Sequence, residues 1–384
     1  MKKAAINLFI LLTAIFSLVF VSCNETTSPA GSNPNITQIT PVQADIGDEV
    51  TITGSSFGLP EASSYVNFGT IKLTTFVSWD DSKIVCKVPV GAKTGKVSVA
   101  VGTQKSNEVA FTVIAPLAPA ALRATSKDAK TVLLRWDASP SENDAKFNGY
   151  ILHITGTGVG PIAPKNISKD TVQPYEVFGL DEGTVYNFEL VAVSTTTAES
   201  EASKVSWSPA SRFTEINANP IKVYVKASSF GSGLDLYDAT AVGPRVLTII
   251  SSDEWNLGLR DDGNSLNFGS ATILTYNYSG TPIKTEVSSD NWINATGLDA
   301  CFDSDALNID ETKFKEQVFD LNSLSTTDGV VFVVRYKDGT NTNYNYAKVW
   351  VKKPAGGFLQ GSGNDQYIEV QISYQMTPGV PYAY

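Results

Sequence analysis

The chain has 384 residues and a formal net charge of −10, from 29 basic and 39 acidic side chains. A chain of this length exceeds what one hydrophobic core usually serves, so we expect two or three domains. The negative charge would repel a phosphate backbone, and we expect no nucleic-acid partner. Apolar and polar residues alternate in short stretches between turn residues, so the sequence predicts an all-β fold.

The N-terminus has the pattern of a secretory signal. Lys2 and Lys3 precede an apolar run over residues 6–21, which is shorter than the ~20 residues of a membrane-spanning helix. Ser22 and Cys23 follow, and this junction resembles a bacterial lipoprotein signal. The resemblance implies cleavage before Cys23, its acylation, and a lipid anchor in the cell envelope at the outer membrane, facing either the periplasm or the cell surface. An ordinary N-terminal membrane helix is the alternative.

The segment after the signal is too polar to fold. Residues 24–35 contain no large apolar side chain, so they cannot bury enough surface to offset the entropy of ordering the chain. We therefore predict a signal peptide over residues 1–22 and a flexible tether over residues 23–35.

The first predicted domain spans residues 36–115. Val50 and Ile52 alternate with threonines, and Gly54 and Gly58 supply turns after that strand. The segment resembles an IPT/TIG immunoglobulin-like domain. The resemblance lies in 39–41 (Ile-Thr-Pro), 47–54 (Gly-Asp-Glu-Val-Thr-Ile-Thr-Gly), 57–58 (Phe-Gly), 66–69 (Val-Asn-Phe-Gly), 88–89 (Val-Pro) and 106–107 (Ser-Asn).

The second predicted domain spans residues 116–215. Leu180 and Tyr186 flank a Gly-Thr turn in the pattern of a tyrosine corner. The series Pro119, Trp136, Tyr150, Leu180, Tyr186 resembles a fibronectin type III domain. The resemblance implies a β-sandwich with Trp136 and Tyr186 in its core.

The third predicted domain, residues 216–384, is larger, β-rich, and contains at most one short helix, at residues 310–321. Here the chain resembles the HmuY-type haem-binding lipoproteins of Bacteroidetes-like bacteria. The matching segments are 252–259 (Ser-Asp-Glu-Trp-Asn-Leu-Gly-Leu), 333–339 (Val-Val-Arg-Tyr-Lys-Asp-Gly), 346–351 (Tyr-Ala-Lys-Val-Trp-Val) and 367–374 (Tyr-Ile-Glu-Val-Gln-Ile-Ser-Tyr). The fold class is thus two immunoglobulin-like sandwiches followed by a larger β domain.

The haem-ligating residues of that family have no counterparts in residues 216–384. Its members hold iron with paired His, or with Met in some cases, and this segment offers only Met376 and Cys301. Cys301 and Cys86 fall in different predicted domains and are expected to be separate buried thiols. We therefore predict the fold without a cofactor.

Aromatic residues are dense in the third predicted domain and suggest a ligand surface. We single out Trp292, Trp350 and Tyr346 as ligand-binding candidates, because aromatic rings stack on sugars and on flat ligands. Trp350 and Tyr346 share a strand face with Lys348 and Lys352. If the opposite, aliphatic face is the inner one, Trp350 is exposed; if both faces are covered, it belongs to the core, which we favour.

The acidic stretch from Asp299 to Glu311 raises the question of calcium. Its carboxylates could meet around a cation, but no Gly-centred twelve-residue loop is present. A solvated acidic loop is the favoured interpretation, and we predict no metal site. His153, the only His, lies between Leu152 and Ile154 and is expected to face solvent.

No catalytic motif is present, since the chain lacks paired His, a Gly-x-Ser-x-Gly elbow and a phosphate-binding loop. We therefore predict a non-enzymatic binding protein, anchored to the membrane through lipid, whose partner is a glycan, a haem-like ligand or another protein. A structural or adhesion protein without a small ligand is the alternative. Paired carboxylates in a cleft would favour a hydrolase.

Overall fold

The structure is a computed structural model that describes residues 33–225, 228–248, 251, 253–274, 280–300 and 311–381. Cys23 and Cys301 lie outside the described residues, and so do the carboxylates of the acidic stretch from residue 303 to residue 310. The chain divides after Ile114 into two compact units. The described part of the chain contains no helix long and apolar enough to cross a membrane.

The N-terminal unit is a two-sheet sandwich. Its strands are β1 (Asn35–Thr40), β2 (Gln43–Ala44), β3 (Glu49–Ser55), β4 (Tyr65–Phe68), β5 (Ile71–Leu73), β6 (Ser78–Asp80), β7 (Lys83–Lys87), β8 (Gly95–Val101), β9 (Gln104–Lys105) and β10 (Val109–Val113). One sheet has the order β1-β3-β7-β6, and the other has the order β2-β10-β8-β4-β5 with β9 beside β8. Val50, Ile52 and Cys86 point into the core as the alternation predicts, and burial raises the pKa of the Cys86 thiol to about 12.

Asn107, of the Ser-Asn pair at residues 106–107, connects two parts of this unit. The Asn107 side chain accepts from the backbone N–H of Ile36 at 2.7 Å and donates to the carbonyl of the same residue at 2.9 Å. Both hydrogen bonds tie the first strand to the loop before β10, so that the buried Ile36 is held in place.

The C-terminal unit begins with a second sandwich of seven strands. They are β11 (Ala120–Asp128), β12 (Thr131–Asp137), β13 (Phe147–Gly156), β14 (Lys165–Ile167), β15 (Tyr175–Phe178), β16 (Tyr186–Ser194) and β17 (Ser203–Trp207). The sheets have the orders β11-β12-β15 and β14-β13-β16-β17. Trp136 and Tyr186 lie in the core, and the Tyr186 hydroxyl accepts from the Asp181 N–H at 3.0 Å, which is the predicted tyrosine corner.

The remaining strands form a third sandwich. They are β18 (Ser211–Phe213), β19 (Glu215–Ile216), β20 (Asn219–Tyr224), β21 (Gly233–Asp238), β22 (Gly243–Leu247), β23 (Leu257–Asp261), β24 (Leu266–Ser270), β25 (Thr285–Ile293), β26 (Phe314–Lys315), β27 (Val318–Asp320), β28 (Gly329–Tyr336), β29 (Asn345–Lys352) and β30 (Tyr367–Gln375). Eight strands form one sheet, β19-β20-β30-β29-β28-β25-β26 with β18 also beside β30, and five form the other, β22-β21-β23-β24-β27. The aliphatic faces of both sheets enclose one core.

The predicted all-β fold is confirmed, but the short helix expected at residues 310–321 is wrong. Its described part is a 3-10 turn at Glu311–Lys313, followed by β26, β27 and a second turn at Leu321–Ser323. Phe314 pairs with Ser288 and Val318 pairs with Gly269, so both apolar residues enter sheet ladders. Strand pairing therefore prevails over local helix preference.

The second sandwich packs on the outer face of the eight-stranded sheet. The ammonium of Lys348, which is fully buried, donates to Thr125 Oγ1 at 3.1 Å and to the Leu298 carbonyl at 2.9 Å. Phe314 and Val333 of the third sandwich share a core cluster with the second. One compact unit thus contains the second and third predicted domains. The third sandwich begins earlier than the predicted residue 216, because β18 already pairs with β30 of the eight-stranded sheet.

Candidate functional site

A cleft of about 250 Å³ opens where the two sheets of the third sandwich meet. Strands of the five-stranded sheet and the end of β28 supply its walls, together with the adjoining loops. The lining residues are Asp235, Tyr237, Asp238, Arg245, Asp253, Glu254, Ile283, Tyr336 and Asp338. We name this the acidic cleft, because five of its nine side chains carry carboxyl groups and one carries a guanidinium.

The local backbone explains how one strand places several of these side chains. Leu234 and Leu236 of β21 point into the core, and the pairing of β21 with β22 shifts register between Asp235 and Asp238. A bulge of this kind bends the strand and re-aims its side chains. The N–H of Tyr237 then donates to Asp235 Oδ1 at 3.2 Å, which fixes the carboxylate at the cleft wall.

Arg245 is committed to two carboxylates of the cleft. Its guanidinium donates to both Asp238 and Asp253, and the hydrogen bond from Arg245 holds the pKa of Asp238 down to about 2. Asp238 also accepts from the backbone N–H groups of Thr240 and Ala241. The one cationic group lining the cleft therefore neutralises charge at its rim.

Asp235 is the unusual carboxyl group of the cleft. Only 9% of the residue is exposed, and burial raises its pKa to about 6, with the neighbouring Asp238 adding to the shift. The Tyr237 N–H and the Arg245 charge oppose that shift. A carboxyl group with a raised pKa at the wall of a cleft is a typical mark of a functional position.

Tyrosine rings line the inner end of the cleft. Tyr237 stacks on Tyr374 with ring centroids 5.0 Å apart and planes 11° from parallel. The hydroxyls of Tyr374 and Tyr336 are 2.8 Å apart, and burial raises the pKa of both phenols, that of Tyr374 to about 12. Both hydroxyls therefore stay protonated at physiological pH and satisfy each other.

The ligand candidates predicted from sequence lie elsewhere. Trp350 is 6% exposed and its indole N–H donates to the Ala295 carbonyl at 2.7 Å, so the favoured core placement is what the structure shows. Trp292 is half-buried against the small apolar cluster that contains Trp350 and Ala295. Tyr346 is half-buried beside Tyr344, with ring centroids 6.2 Å apart. Their role in ligand binding stays a prediction, as does that of Cys23 in anchoring.

The other sequence candidates have ordinary structural surroundings. His153 is partly exposed on β13, with Nε2 3.7 Å from the Glu199 carboxylate. Asp299, at the start of the acidic stretch, forms an ion pair with Arg212 at 2.6 Å. Within the described ranges no three His, Cys, Asp or Glu side chains converge as metal ligands would.

Sequence reasoning missed the acidic cleft because its residues come from distant segments. In the sequence, Tyr336 belongs to the family-like segment 333–339, and Asp253 and Glu254 belong to the family-like segment 252–259. Asp235 alternates with Leu234 and Leu236, a pattern that predicts a solvent-facing residue of a half-buried strand, so the sequence carried no signal of its burial.

Family models identify the first two domains. The IPT/TIG domain model matches residues 34–113, and the fibronectin type III domain model matches residues 117–208. These matches confirm both resemblances. No curated protein matches the chain.

Two similar solved structures are distant from this chain in sequence and in fold. A chain described as "Myokine structure" is 21% identical, with 24% of this chain and 98% of that chain covered and a TM-score of 0.21. Chicken CNTN1 domains FN1-FN3 are 13% identical, with 47% and 68% covered and a TM-score of 0.23. At these scores the domain assignments rest on the family models.

Proposed function

We propose that this chain is a non-enzymatic binding protein of the cell envelope, lipid-anchored through Cys23, whose third domain captures a ligand in the acidic cleft. The IPT/TIG and fibronectin type III domains hold that domain away from the membrane and contact other proteins. The observation that carries the proposal is the cleft itself, in which the partly desolvated Asp235 stands beside four further carboxyl groups. Carboxyl groups in a cleft would also suit a hydrolase, but Arg245 binds two of the five, Asp238 and Asp253, so we propose charge-based binding instead.

The chemistry of the cleft favours a cationic group. Carboxylates supply hydrogen-bond acceptors and negative charge, and the one guanidinium, of Arg245, already binds Asp238 and Asp253. An ammonium or guanidinium group provides the donors and the charge that this lining needs. Such a group is presented by a basic side chain of a protein partner or by a free amine.

Haem fits this cleft poorly. Its propionates are anionic and would meet the carboxylates of Asp235, Asp338 and Glu254. The third predicted domain also contains no His, and Met376 is its only Met. We therefore propose a fold relationship to the haem carriers, without their ligand.

We expect the Nα-acetylated amides of arginine and lysine to bind the full chain in calorimetric titrations, whereas the Nα-acetylated amide of citrulline, which carries no charge, should not. Asp235→Asn combined with Asp338→Asn should weaken binding about tenfold or more, because a desolvated charge contact contributes over ~1.4 kcal/mol. Asp170→Asn, an exposed carboxylate of the second domain, is the matched control. Equal binding of the acetylated citrulline amide, or no heat with either cation, would contradict the proposal.

Replacing Cys23 should release the protein from the membrane. Two or three acyl chains give a firm anchor, whereas a chain without them has only weak membrane contacts. We expect Cys23→Ser to move the protein from the sedimenting membrane fraction to the soluble fraction. Cys86→Ala, which alters a buried thiol far along the chain, should leave it with the membrane. Continued sedimentation of the Cys23→Ser protein would contradict lipid anchoring.

A structural or adhesion role is the second candidate. The matches to two immunoglobulin-like domain families favour it, since such domains serve as spacers and contact modules. It differs from the first candidate in requiring no small cation in the cleft, so the titration with acetylated arginine amide separates the two.

A further inference from the structure

Three aromatic rings lie together on the outer face of the eight-stranded sheet, away from the acidic cleft. Tyr224 and Tyr367 are direct partners across β20 and β30, with ring centroids 5.4 Å apart. Phe230 lies 5.1 Å from Tyr224 and is 58% exposed. We name these three rings the aromatic shelf.

Strand alternation turns the shelf away from the core. Val223 and Ile368, the chain neighbours of the two tyrosines, are fully buried between the sheets, so Tyr224 and Tyr367 point to the opposite face. The exposed Phe230 precedes Gly231, whose φ of +116° and close approach to the Leu247 carbonyl leave no room for a Cβ. The Gly231 carbonyl accepts from the Tyr224 N–H at 2.9 Å, which holds the turn against the strand.

A row of charges runs beside the shelf. Lys222 pairs in register with Glu369, and Glu369 forms an ion pair with Lys352 of β29 at 2.9 Å. This row lies two residues along the strands from the two tyrosines, a distance of about 7 Å. The Lys222 ammonium also lies 4.3 Å from the centre of the Tyr367 ring, so the two rows are in contact.

The shelf lies far from the second sandwich. Ser373 and Gln375, at the C-terminal end of β30, are buried, and Gln375 donates to the Pro209 carbonyl at 3.1 Å. Tyr367 begins the same strand, and eight extended residue-to-residue steps place it about 27 Å from Gln375. The second sandwich therefore leaves the shelf open.

We propose that the aromatic shelf binds a neutral polysaccharide. A pyranose has apolar C–H faces, which stack on aromatic rings, and polar hydroxyl edges, which need donors and acceptors alongside. Rings and ionic groups stand here in adjacent rows. Lys222 and Lys352 balance Glu369 and Asp365, which accepts from Ser228 Oγ at 2.9 Å. This local balance, in a chain of net charge −10, suits an uncharged ligand.

A patch for a protein partner would look different. The core of a protein interface is depleted of charged side chains. The row beside the shelf, Lys222, Glu369 and Lys352, is charged throughout. The proposal goes beyond the cationic ligand of the acidic cleft and shares no residue with it, so either can fail alone.

The test is affinity electrophoresis of the full chain in gels containing dextran, mixed-linkage β-glucan, galactomannan or xylan, with polygalacturonate as the anionic comparison. At least one neutral polymer should retard the protein. Phe230→Ala should weaken that binding about tenfold, and adding Tyr224→Ala should abolish it. Phe178→Ala, which removes a ring 71% exposed in the second domain, should leave it unchanged.

Three results would overturn the proposal. They are no retardation by any neutral polymer, retardation by polygalacturonate alone, and retardation that the Phe230 and Tyr224 variants retain. Because Phe230 is largely exposed, Phe230→Ala should keep the thermal unfolding curve of the parent, which separates lost binding from lost folding.

Discussion

Trp136→Ala is expected to lower the free energy of unfolding of the C-terminal unit by about 3–5 kcal/mol, as deletion of a large buried aromatic side chain does. Trp136 is 5% exposed and meets the Tyr150 ring edge-on at 5.7 Å. The substitution therefore leaves a cavity in the second sandwich. Denaturant titration of the full chain measures the loss, and Phe178→Ala, with its exposed ring, should change stability by less than about 0.5 kcal/mol.

The same variant tests how the C-terminal unit unfolds. Because Phe314 and Val333 of the third sandwich join the core cluster that contains Trp136, we expect the whole of residues 115–384 to shift in one transition. A transition in which only part of the signal moves would support separate folding on either side of residue 215. An unchanged unfolding curve would contradict the core position of Trp136.

Single-strand patterns predicted much of the fold. Alternation placed Val50 and Ile52 on one buried face, and the spacing of Leu180 and Tyr186 predicted a corner that the Asp181 hydrogen bond now shows. These features depend on residues close in sequence, and their geometry follows from a strand period of two or from one tight turn.

Such patterns do not show which part of the protein covers the second face of a sheet. Lys348 and Trp350 alternate with aliphatic residues and could face solvent, yet the second sandwich and the Ala295 segment bury both side chains. Only the packing of two sandwiches decides this. The sequence does not reveal the acidic cleft for the same reason, because Asp235 and Tyr336 come from different sheets that meet only in the folded protein.

The buried carboxyl group of Asp235 in the acidic cleft should lower the free energy of unfolding by an amount that depends on pH. Burial raises the pKa of Asp235 from the ordinary 3.8 to about 6. Below both values the side chain is protonated in the folded and unfolded chain alike. Between pH 3.8 and about 6 the unfolded chain releases this proton while the folded chain keeps it, so stability falls as the pH rises. The loss, up to about 3 kcal/mol over the two-unit shift, is complete above about pH 6.

Asp235→Asn should therefore stabilise the protein above about pH 7 and change little near pH 3.5. Asparagine keeps an oxygen to accept the Tyr237 N–H and removes the buried charge, although Asp238, Glu254 and Arg245 still face the position. The measurement is the difference in unfolding free energy between parent and variant across this pH range. Asp170→Asn, at an exposed site, should show no such pH dependence.

A variant that is less stable than the parent at pH 8 would show that the Asp235 charge is favourably solvated or paired. The expected gain bears on function. If a neutral residue of the same shape makes the protein more stable, the charged residue serves a purpose other than stability. Under the proposed function, that purpose is to offer a negative charge to a cation. Acetylated arginine amide should accordingly bind more weakly as the pH falls through about 6, where Asp235 takes up its proton.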